Sequence, residues 1–222
     1  MKMNLLAVTT TLLLILTGPV SAQTTQVDTR IGKLEFTHDF ANGYPTDATV
    51  TKLFDEMDFQ RAVQAYIWSI PLMGFEYWQD KQNKELGLAN GQLVYMVTYD
   101  EKVCCLTLNV TTPYVQGFID LRESGPMVVE IPEGGQVRGA THDMWQIEFA
   151  QMTRPGRYLF VGPYQEVPPT AESEGFVIEH SPMNDMFVGI RLMPEDEKTR
   201  EALLKQVKVY PYKDRKNPKV HP

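Results

Sequence analysis

The chain has 222 residues, 43% of them hydrophobic and 10% aromatic, with a formal net charge of −7 and a pI near 5.2. A chain of this size can bury a sizeable core without disulfides or a metal. The acidic balance argues against nucleic acid as a partner, because phosphate binding depends on clustered Lys and Arg. The basic residues near the C-terminus are interrupted by Asp214 and are typical of a solvated end.

Residues 1–22 have the pattern of a secretory signal peptide. Lys2 precedes an apolar run over residues 5–17, a Gly-Pro pair breaks the run, and small residues precede Gln23. The run is shorter than the roughly 20 apolar residues that a membrane-spanning helix needs. We therefore predict cleavage near Ala22, a periplasmic or secreted location, and no transmembrane segment in the mature chain.

The main helix is predicted over Asp58–Lys81, after a flexible leader at 23–30, a strand at 30–36 and a short helix from a Thr46 N-cap to Met57. Pro71 is expected to kink the main helix, because proline removes a backbone hydrogen bond and its ring clashes with the preceding turn. Apolar residues at spacings of three and four place one stripe on this helix, which we expect to pack on a sheet. The stripe comprises Phe59, Ala62, Val63, Tyr66, Ile67, Ile70, Met73, Gly74 and Tyr77.

Short strands punctuated by Pro and Gly dominate the rest of the chain. The predicted runs are 93–99, Val103–Val110, Val115–Leu121, Met127–Ile131, Ala140–Phe149, Arg157–Val161, Phe176–Glu179 and Met186–Leu192, followed by a helix over Pro194–Val207 and an edge strand over Val207–Tyr212. This spacing predicts an α+β fold that is mainly β, an antiparallel sandwich or barrel-like domain with the kinked helix packed on it. Residues 23–212 are expected to form a single domain and residues 213–222 a linker-like tail.

The sequence contains none of the strong catalytic or nucleotide-binding motifs, and its four histidines lack metal-ligand spacing. We predict neither a metal nor a cofactor. Cys104 and Cys105 are adjacent in a predicted strand, where neighbouring side chains point to opposite faces and cannot easily form a disulfide. Cys104 shares its face with apolar residues and is interpreted as a buried hydrophobe.

The most suggestive cluster for binding contains Asp143, Trp145 and Gln146. On a continuous strand Asp143, Trp145, Ile147 and Phe149 would share one face. Asp143 would then either line a cleft as a candidate acid, with Trp145 stacking on a ligand ring, or cap the turn before it while Trp145 packs in the core.

A second candidate cluster contains Thr112 and Tyr114, whose hydroxyl groups could line a pocket mouth or belong to an ordinary turn at Pro113. Asp120 is the further candidate. Hydrolysis of a glycoside would need the Asp143 carboxylate close to that of Asp120, Glu148 or Asp100 in the folded chain, and the sequence does not show which carboxylates are close.

Several ordered segments resemble the family called domain of unknown function 1254. These are Gly43–Thr46, Leu53–Tyr66, Asn109–Tyr114, Asp143–Gln146, Gly156–Leu159 with Gly162-Pro163, and Val209–Tyr212. The resemblance implies an exported bacterial β-rich protein, often followed by a module called domain of unknown function 1214. The sequence stops at Pro222, where that module would begin, so we expect either a single-module member or a fragment, and the linker-like ending favours a fragment. It implies no catalytic residue. The Thr-Pro-Asn motif common in the family reads Thr112-Pro113-Tyr114 in this chain, so a role tied to that Asn does not carry over.

We expect an exported domain that binds a ligand or a partner without chemistry of its own. One alternative is a hydrolase acting on a glycan or ester with Asp143 and a second carboxylate. Another is the structural half of a two-module protein, completed by a downstream module or by self-association, whose mark would be a large exposed apolar patch.

Overall fold

The computed structural model describes residues 24–38, 41–98, 112–134 and 136–218. The predicted signal peptide, the predicted strand Val103–Val110 with its two cysteines, and the last four residues of the predicted tail lie outside these ranges. The chain divides into two compact units, one ending at Tyr66 and one beginning at Ile67. Among the helices described, none combines the length and the apolar character needed to cross a membrane.

The first unit opens with an antiparallel hairpin of β1 (Thr25–Thr29) and β2 (Gly32–Phe36). Gly32 follows the turn with a φ of 100°, a conformation that favours glycine. The predicted flexible leader at 23–30 is therefore wrong for β1, because this segment pairs along its whole length with β2.

One long helix, α1 (Asp47–Glu85), replaces the two helices predicted from the sequence. It begins as predicted, with the Thr46 hydroxyl oxygen accepting a hydrogen bond from the Thr49 N–H at 3.3 Å. Neither Gly nor Pro occurs in the turns around Met57 and Asp58, so nothing in the local sequence ends the helix there. The helix continues through Pro71.

The second unit contains nine strands and two further short helices among its described residues. They are β3 (Leu93–Met96), β4 (Tyr114–Asp120), α2 (Leu121–Ser124), β5 (Met127–Ile131), β6 (Val137–Asp143), β7 (Glu148–Met152), β8 (Gly156–Val161), β9 (Val177–His180), β10 (Asp185–Leu192), α3 (Glu197–Leu204) and β11 (Lys208–Pro211).

These strands form two open sheets. Of the two predicted architectures, this confirms the sandwich, since the described strands do not close into a barrel. The five-stranded sheet has the order β3-β4-β10-β6-β7 and is antiparallel throughout. The four-stranded sheet has the order β11-β5-β8-β9, in which β8 and β9 run parallel. As predicted, β11 is an edge strand.

The hydrophobic core lies between the two sheets. Alternate residues of β10, from Met186 to Leu192, are buried in one cluster with Ile119 of β4, Val129 of β5 and Phe160 of β8. Period-two alternation therefore directs one face of each sheet into the core.

The second part of α1, residues 67–85 of the second unit, packs on the outer face of the five-stranded sheet. The residues that make this contact are not members of the predicted stripe. Phe75 and Trp78 contact Phe118 and Phe187, which alternate with the inward-facing residues of β4 and β10. The helix thus packs on a sheet as expected, but through its opposite side.

The predicted stripe itself is exposed, which corrects its assignment to the core. Phe59 is 66% exposed, Tyr66 71%, Met73 63% and Tyr77 66%. Since apolar residues occur on two sides of α1, the spacing alone did not show which side faces the sheet.

Candidate functional site

A groove of about 640 Å³ lies where the edge strands of the two sheets, β3 and β11, approach each other. The segment between α1 and β3 forms one wall, and the end of α3 forms the other. A volume of this size is typical of pockets that hold small organic ligands.

The groove is lined almost entirely by aliphatic side chains, eight of them Leu or Val. The lining residues are Leu86, Leu88, Gly91, Leu93, Val94, Tyr95, Val115, Leu204, Lys205, Val207 and Val209. Val115, Val207 and Val209 also belong to the sandwich core, so the floor of the groove is the edge of that core. A bound apolar group would therefore extend the packed interior.

Gly117 of β4 allows the wall of the groove to approach the sheet closely. A Cβ atom at this position would lie 2.4 Å from the Gln92 carbonyl oxygen and 2.9 Å from Leu93 Cδ2. Leu93 is also the strand partner of Gly117. The missing side chain thus determines how near β3 lies to β4, and hence the width of the groove.

Two polar side chains interrupt the apolar lining, the phenol of Tyr95 and the ammonium of Lys205. Lys205 is exposed at the C-terminal end of α3, where a positive charge is favoured by the helix dipole. It takes part in none of the ion pairs found within the described ranges of the chain. Among the described residues, the groove lining therefore combines an apolar floor with one cationic group.

Asp143, Trp145 and Gln146 lie in and beside a turn that interrupts the predicted strand Ala140–Phe149. The Asp143 carboxylate is 6% exposed and accepts hydrogen bonds from the N–H groups of Trp145 at 2.9 Å and Ile147 at 3.0 Å. The expectation that these residues share one strand face is wrong, because the chain reverses between β6 and β7.

Trp145 and Gln146 contact the second part of α1. The Trp145 ring lies 4.2 Å from that of Trp68, measured between centroids. The Gln146 side-chain amide donates a hydrogen bond of 2.9 Å to the Pro71 carbonyl, and Gly74 leaves room for it, since a Cβ there would lie 3.3 Å from that amide nitrogen. These two predicted ligand-binding residues thus hold a helix.

Thr112, Tyr114 and Asp120 lie along the β4 region without converging on the groove. Thr112 precedes β4 and is partly buried. The Tyr114 ring lies 5.0 Å from the guanidinium carbon of Arg191. Asp120 ends β4, and its carboxylate accepts a hydrogen bond of 2.8 Å from the Arg122 N–H as the N-cap of α2.

Asp120 has a carboxylate neighbour that sequence reasoning missed, Asp185 of the adjacent strand β10. The two residues are paired in register, and Arg122 Nη2 lies 2.8 Å from an Asp120 oxygen and 2.7 Å from an Asp185 oxygen. Burial would raise the pKa of Asp120, but the hydrogen bonds and charge of Arg122 outweigh it and lower that pKa. Burial raises the pKa of Asp185, and the nearby Asp120 charge adds to the rise.

The structure thus places Asp120 beside Asp185, while the Asp143 carboxylate accepts hydrogen bonds from backbone N–H groups of its own turn. Neither Asp120, Asp143 nor Asp185 lines the apolar groove, and Glu148 is exposed on β7. Within the described part of the chain, no three His, Cys, Asp or Glu side chains come together in a way that could hold a metal ion.

Sequence reasoning also missed the groove. Its walls come from four separate segments, around Leu88, Leu93, Val115 and Val207, and each segment alone reads as ordinary core. The only local signal is the lone Lys205 between apolar residues at the end of a predicted helix.

Comparison with known proteins identifies a family and a fold. Residues 92–211 match the family described as "Protein of unknown function (DUF1254)", a range that runs from the start of β3 to the end of β11 and includes most of the groove lining. No curated protein matches. Among solved structures, the chain is similar to the VPA0106 protein from Vibrio parahaemolyticus, with a TM-score of 0.53 and 16% identity. That likeness covers 71% of this chain and 39% of the other, so it supports the fold alone.

Proposed function

Since the chain belongs to the DUF1254 family, whose description assigns no activity, we propose from the geometry of its groove that it is an exported binding domain for an anionic amphiphile. The ligand would carry an unbranched apolar body and one acidic head group, as fatty acids and lysolipids do. The export part of the proposal is supported by the signal-peptide pattern of residues 1–22.

The observation that carries this proposal is the pairing of an aliphatic groove with one cationic side chain. The eight Leu and Val residues of the lining favour hydrocarbon, since each buried methylene contributes about 0.8 kcal/mol. Lys205 supplies a charge for an acidic head group without requiring the burial of an unpaired ion, because its side chain stays exposed.

The proposal predicts a characteristic dependence on chain length. Each added methylene should tighten binding about fourfold until the groove is filled, after which further carbons contribute little. Titration of the purified protein with a fluorescent long-chain fatty acid, followed by displacement with unlabelled acids of increasing length, measures this dependence.

Two variants separate the apolar part of the site from the charged part. Leu88→Trp should fill the groove and abolish displaceable binding. Lys205→Glu should weaken fatty acid binding about two- to tenfold while leaving the fatty alcohol of equal length unaffected. Lys198→Glu, on the same helix but outside the groove lining, is the matched control. Absence of saturable binding, or binding that Leu88→Trp leaves intact, would overturn the proposal.

A hydrolase is the second candidate, and the Asp120–Asp185 pair favours it. Their nearest oxygens are no more than about 5.5 Å apart because both contact Arg122 Nη2, and their pKa values move in opposite directions. A panel of glycan and ester substrates tests this candidate. Turnover that is lost in Asp185→Asn, with the fold retained, would support it. Turnover lost in Asp143→Ala would instead support the pair first expected from the sequence.

A further inference from the structure

Two exposed arginines lie directly opposite each other on the outer face of the five-stranded sheet. Arg191 of β10 is the register partner of Arg138 of β6 on one side and of Tyr114 of β4 on the other. Ile190 and Leu192, on either side of Arg191 in the chain, belong to the core between the sheets, so Arg191 projects outward. Register partners in antiparallel strands point to the same face, with their Cβ atoms about 5 Å apart. The three side chains therefore form one row across the central strands of the sheet.

The positive charges of this row are not balanced by the chain itself. In the part of the chain that the structure describes, neither Arg138 nor Arg191 takes part in an ion pair. The neighbouring row on the same face consists of Gln116, Gly189 and Ala140, which carry no charge. Like charges directly opposite each other in a sheet are destabilising, and this pair occurs in a chain whose formal net charge is −7. An anionic ligand would remove the repulsion.

Tyr114 positions one of the two guanidinium groups. The guanidinium carbon of Arg191 lies over the Tyr114 ring, 5.0 Å from its centroid. Stacking on an aromatic face restricts the arginine side chain and leaves the N–H donors at the edge of the guanidinium free. Less conformational freedom is then lost when a ligand binds. Tyr114, a ligand-binding candidate from the sequence, thus acts through Arg191 as a positioning residue.

We propose that Arg138 and Arg191 bind a tetrahedral oxyanion, either free phosphate or a phosphomonoester. Each guanidinium presents a planar fork of N–H donors that pairs with two oxygens. One fork satisfies a carboxylate, whereas a phosphate group has a charge of about −1.5 to −2 and enough acceptor oxygens for both arginines. Neither arginine belongs to the groove lining, so this site is separate from the groove.

Calorimetric titration of the purified protein with inorganic phosphate tests the site, with the ionic strength held constant by sodium chloride. The wild-type chain should bind phosphate saturably. Arg138→Gln and Arg191→Gln should each raise the dissociation constant about tenfold, because each removes one set of charge-assisted hydrogen bonds. Arg191→Lys keeps the charge but loses the fork, and its effect should be smaller. Lys198→Gln, exposed on α3, is the control with the same change in charge and should alter the constant less than about twofold.

Vesicles distinguish the two sources of the phosphate group. Phosphatidic acid presents a phosphomonoester at a membrane surface, so co-sedimentation with phosphatidylcholine vesicles that contain it is compared with vesicles that lack it. Binding to these vesicles without binding to inorganic phosphate would identify a lipid head group as the ligand, and the reverse result would identify a soluble phosphate. Either result supports the site if both Arg→Gln variants weaken it.

Thermal unfolding gives a readout that a purely structural role of the arginines would not produce. Without phosphate, Arg138→Gln should raise the unfolding midpoint, because it removes the like-charge repulsion. Phosphate should raise the midpoint of the wild-type chain and of Lys198→Gln, but not that of Arg138→Gln. The absence of saturable binding to both inorganic phosphate and phosphatidic acid would overturn the proposal. Binding that both Arg→Gln variants leave unchanged would also overturn it.

Discussion

Phe75 of α1 and Phe118 of β4 meet edge to face, with their ring centroids 5.0 Å apart, where the second part of the helix lies on the five-stranded sheet. Trp78 and Phe187 complete the cluster at 4.5 Å. Edge-to-face pairs add about 0.5–1.5 kcal/mol to the effect of burial alone. This aromatic layer, rather than the longer apolar stripe, attaches the helix to the sandwich.

Phe75→Ala should destabilise the protein by about 3–5 kcal/mol, because the side chain is 1% exposed and its removal leaves a cavity between helix and sheet. Phe54→Ala, at a position 58% exposed, should change the free energy of unfolding by less than about 0.5 kcal/mol. Chemical denaturation measures both. A loss below about 1 kcal/mol for Phe75→Ala would show that the aromatic layer contributes little.

Asp143→Ala should cost about 2–3 kcal/mol of stability, because the backbone N–H groups of Trp145 and Ile147 lose their acceptor in a largely buried turn. Asp143→Asn keeps an oxygen at the same position and should cost about half as much. Equal stability of both variants and the wild-type chain would contradict the turn-capping role.

Gly117→Ala should destabilise the protein by about 1–3 kcal/mol and weaken ligand binding in the groove. The added methyl group would meet the Gln92 backbone oxygen, which cannot move aside as a flexible side chain can. Gly125→Ala, outside the groove lining, is a control, since a Cβ there meets nothing within 4 Å and the only cost is its φ of 75°. Unfolding curves and fatty acid titrations of the two variants should distinguish steric closure of the groove from backbone strain. Equal ligand affinity in both variants would count against the role of Gly117.

Stability should fall as the pH drops below 6.5 because of His142. Burial beside Phe187 lowers the pKa of this imidazole below its ordinary 6.5, and the charges of Glu148 and Asp143 offset this only in part. The unfolded chain therefore takes up a proton first, so this contribution is present above pH 6.5 and is lost as the pH falls through the lowered value. His142→Gln should make the unfolding midpoint depend less on pH below 6.5.

His180→Gln, at an exposed position, is the control variant for that measurement. A wild-type midpoint that stays constant as the pH falls below 6.5 would contradict the assignment to His142.

The sandwich could be predicted from sequence because its strands carry period-two patterns between clear breaks. β5 begins and ends at the predicted Met127 and Ile131, and β10 differs from its prediction by one residue. The turn at residues 144–147 escaped prediction because it contains neither Gly nor Pro. Gln146 adopts the left-handed φ of 62° instead, held by its side-chain hydrogen bond to Pro71.

The site could not be predicted, because no single segment shows it. In the sequence, the lining residues have the pattern of core residues, as Leu88, Val115 and Val207 illustrate. They line a groove because the edges of the two sheets lie close together in the fold. The predicted polar candidates are real structural contacts, but Asp143, Trp145 and Gln146 stabilise a turn and a helix.

Methyl NMR of the Leu and Val side chains, recorded while a long-chain fatty acid is added, tests the groove most directly. The account predicts that the methyl groups of Leu88, Leu93, Val207 and Val209 shift together and saturate, whereas those of Leu159 and Val161, buried in the separate cluster beyond the four-stranded sheet, do not. Shifts confined to other methyl groups, or none at all at saturating fatty acid, would contradict the claim that this domain binds its ligand in the groove.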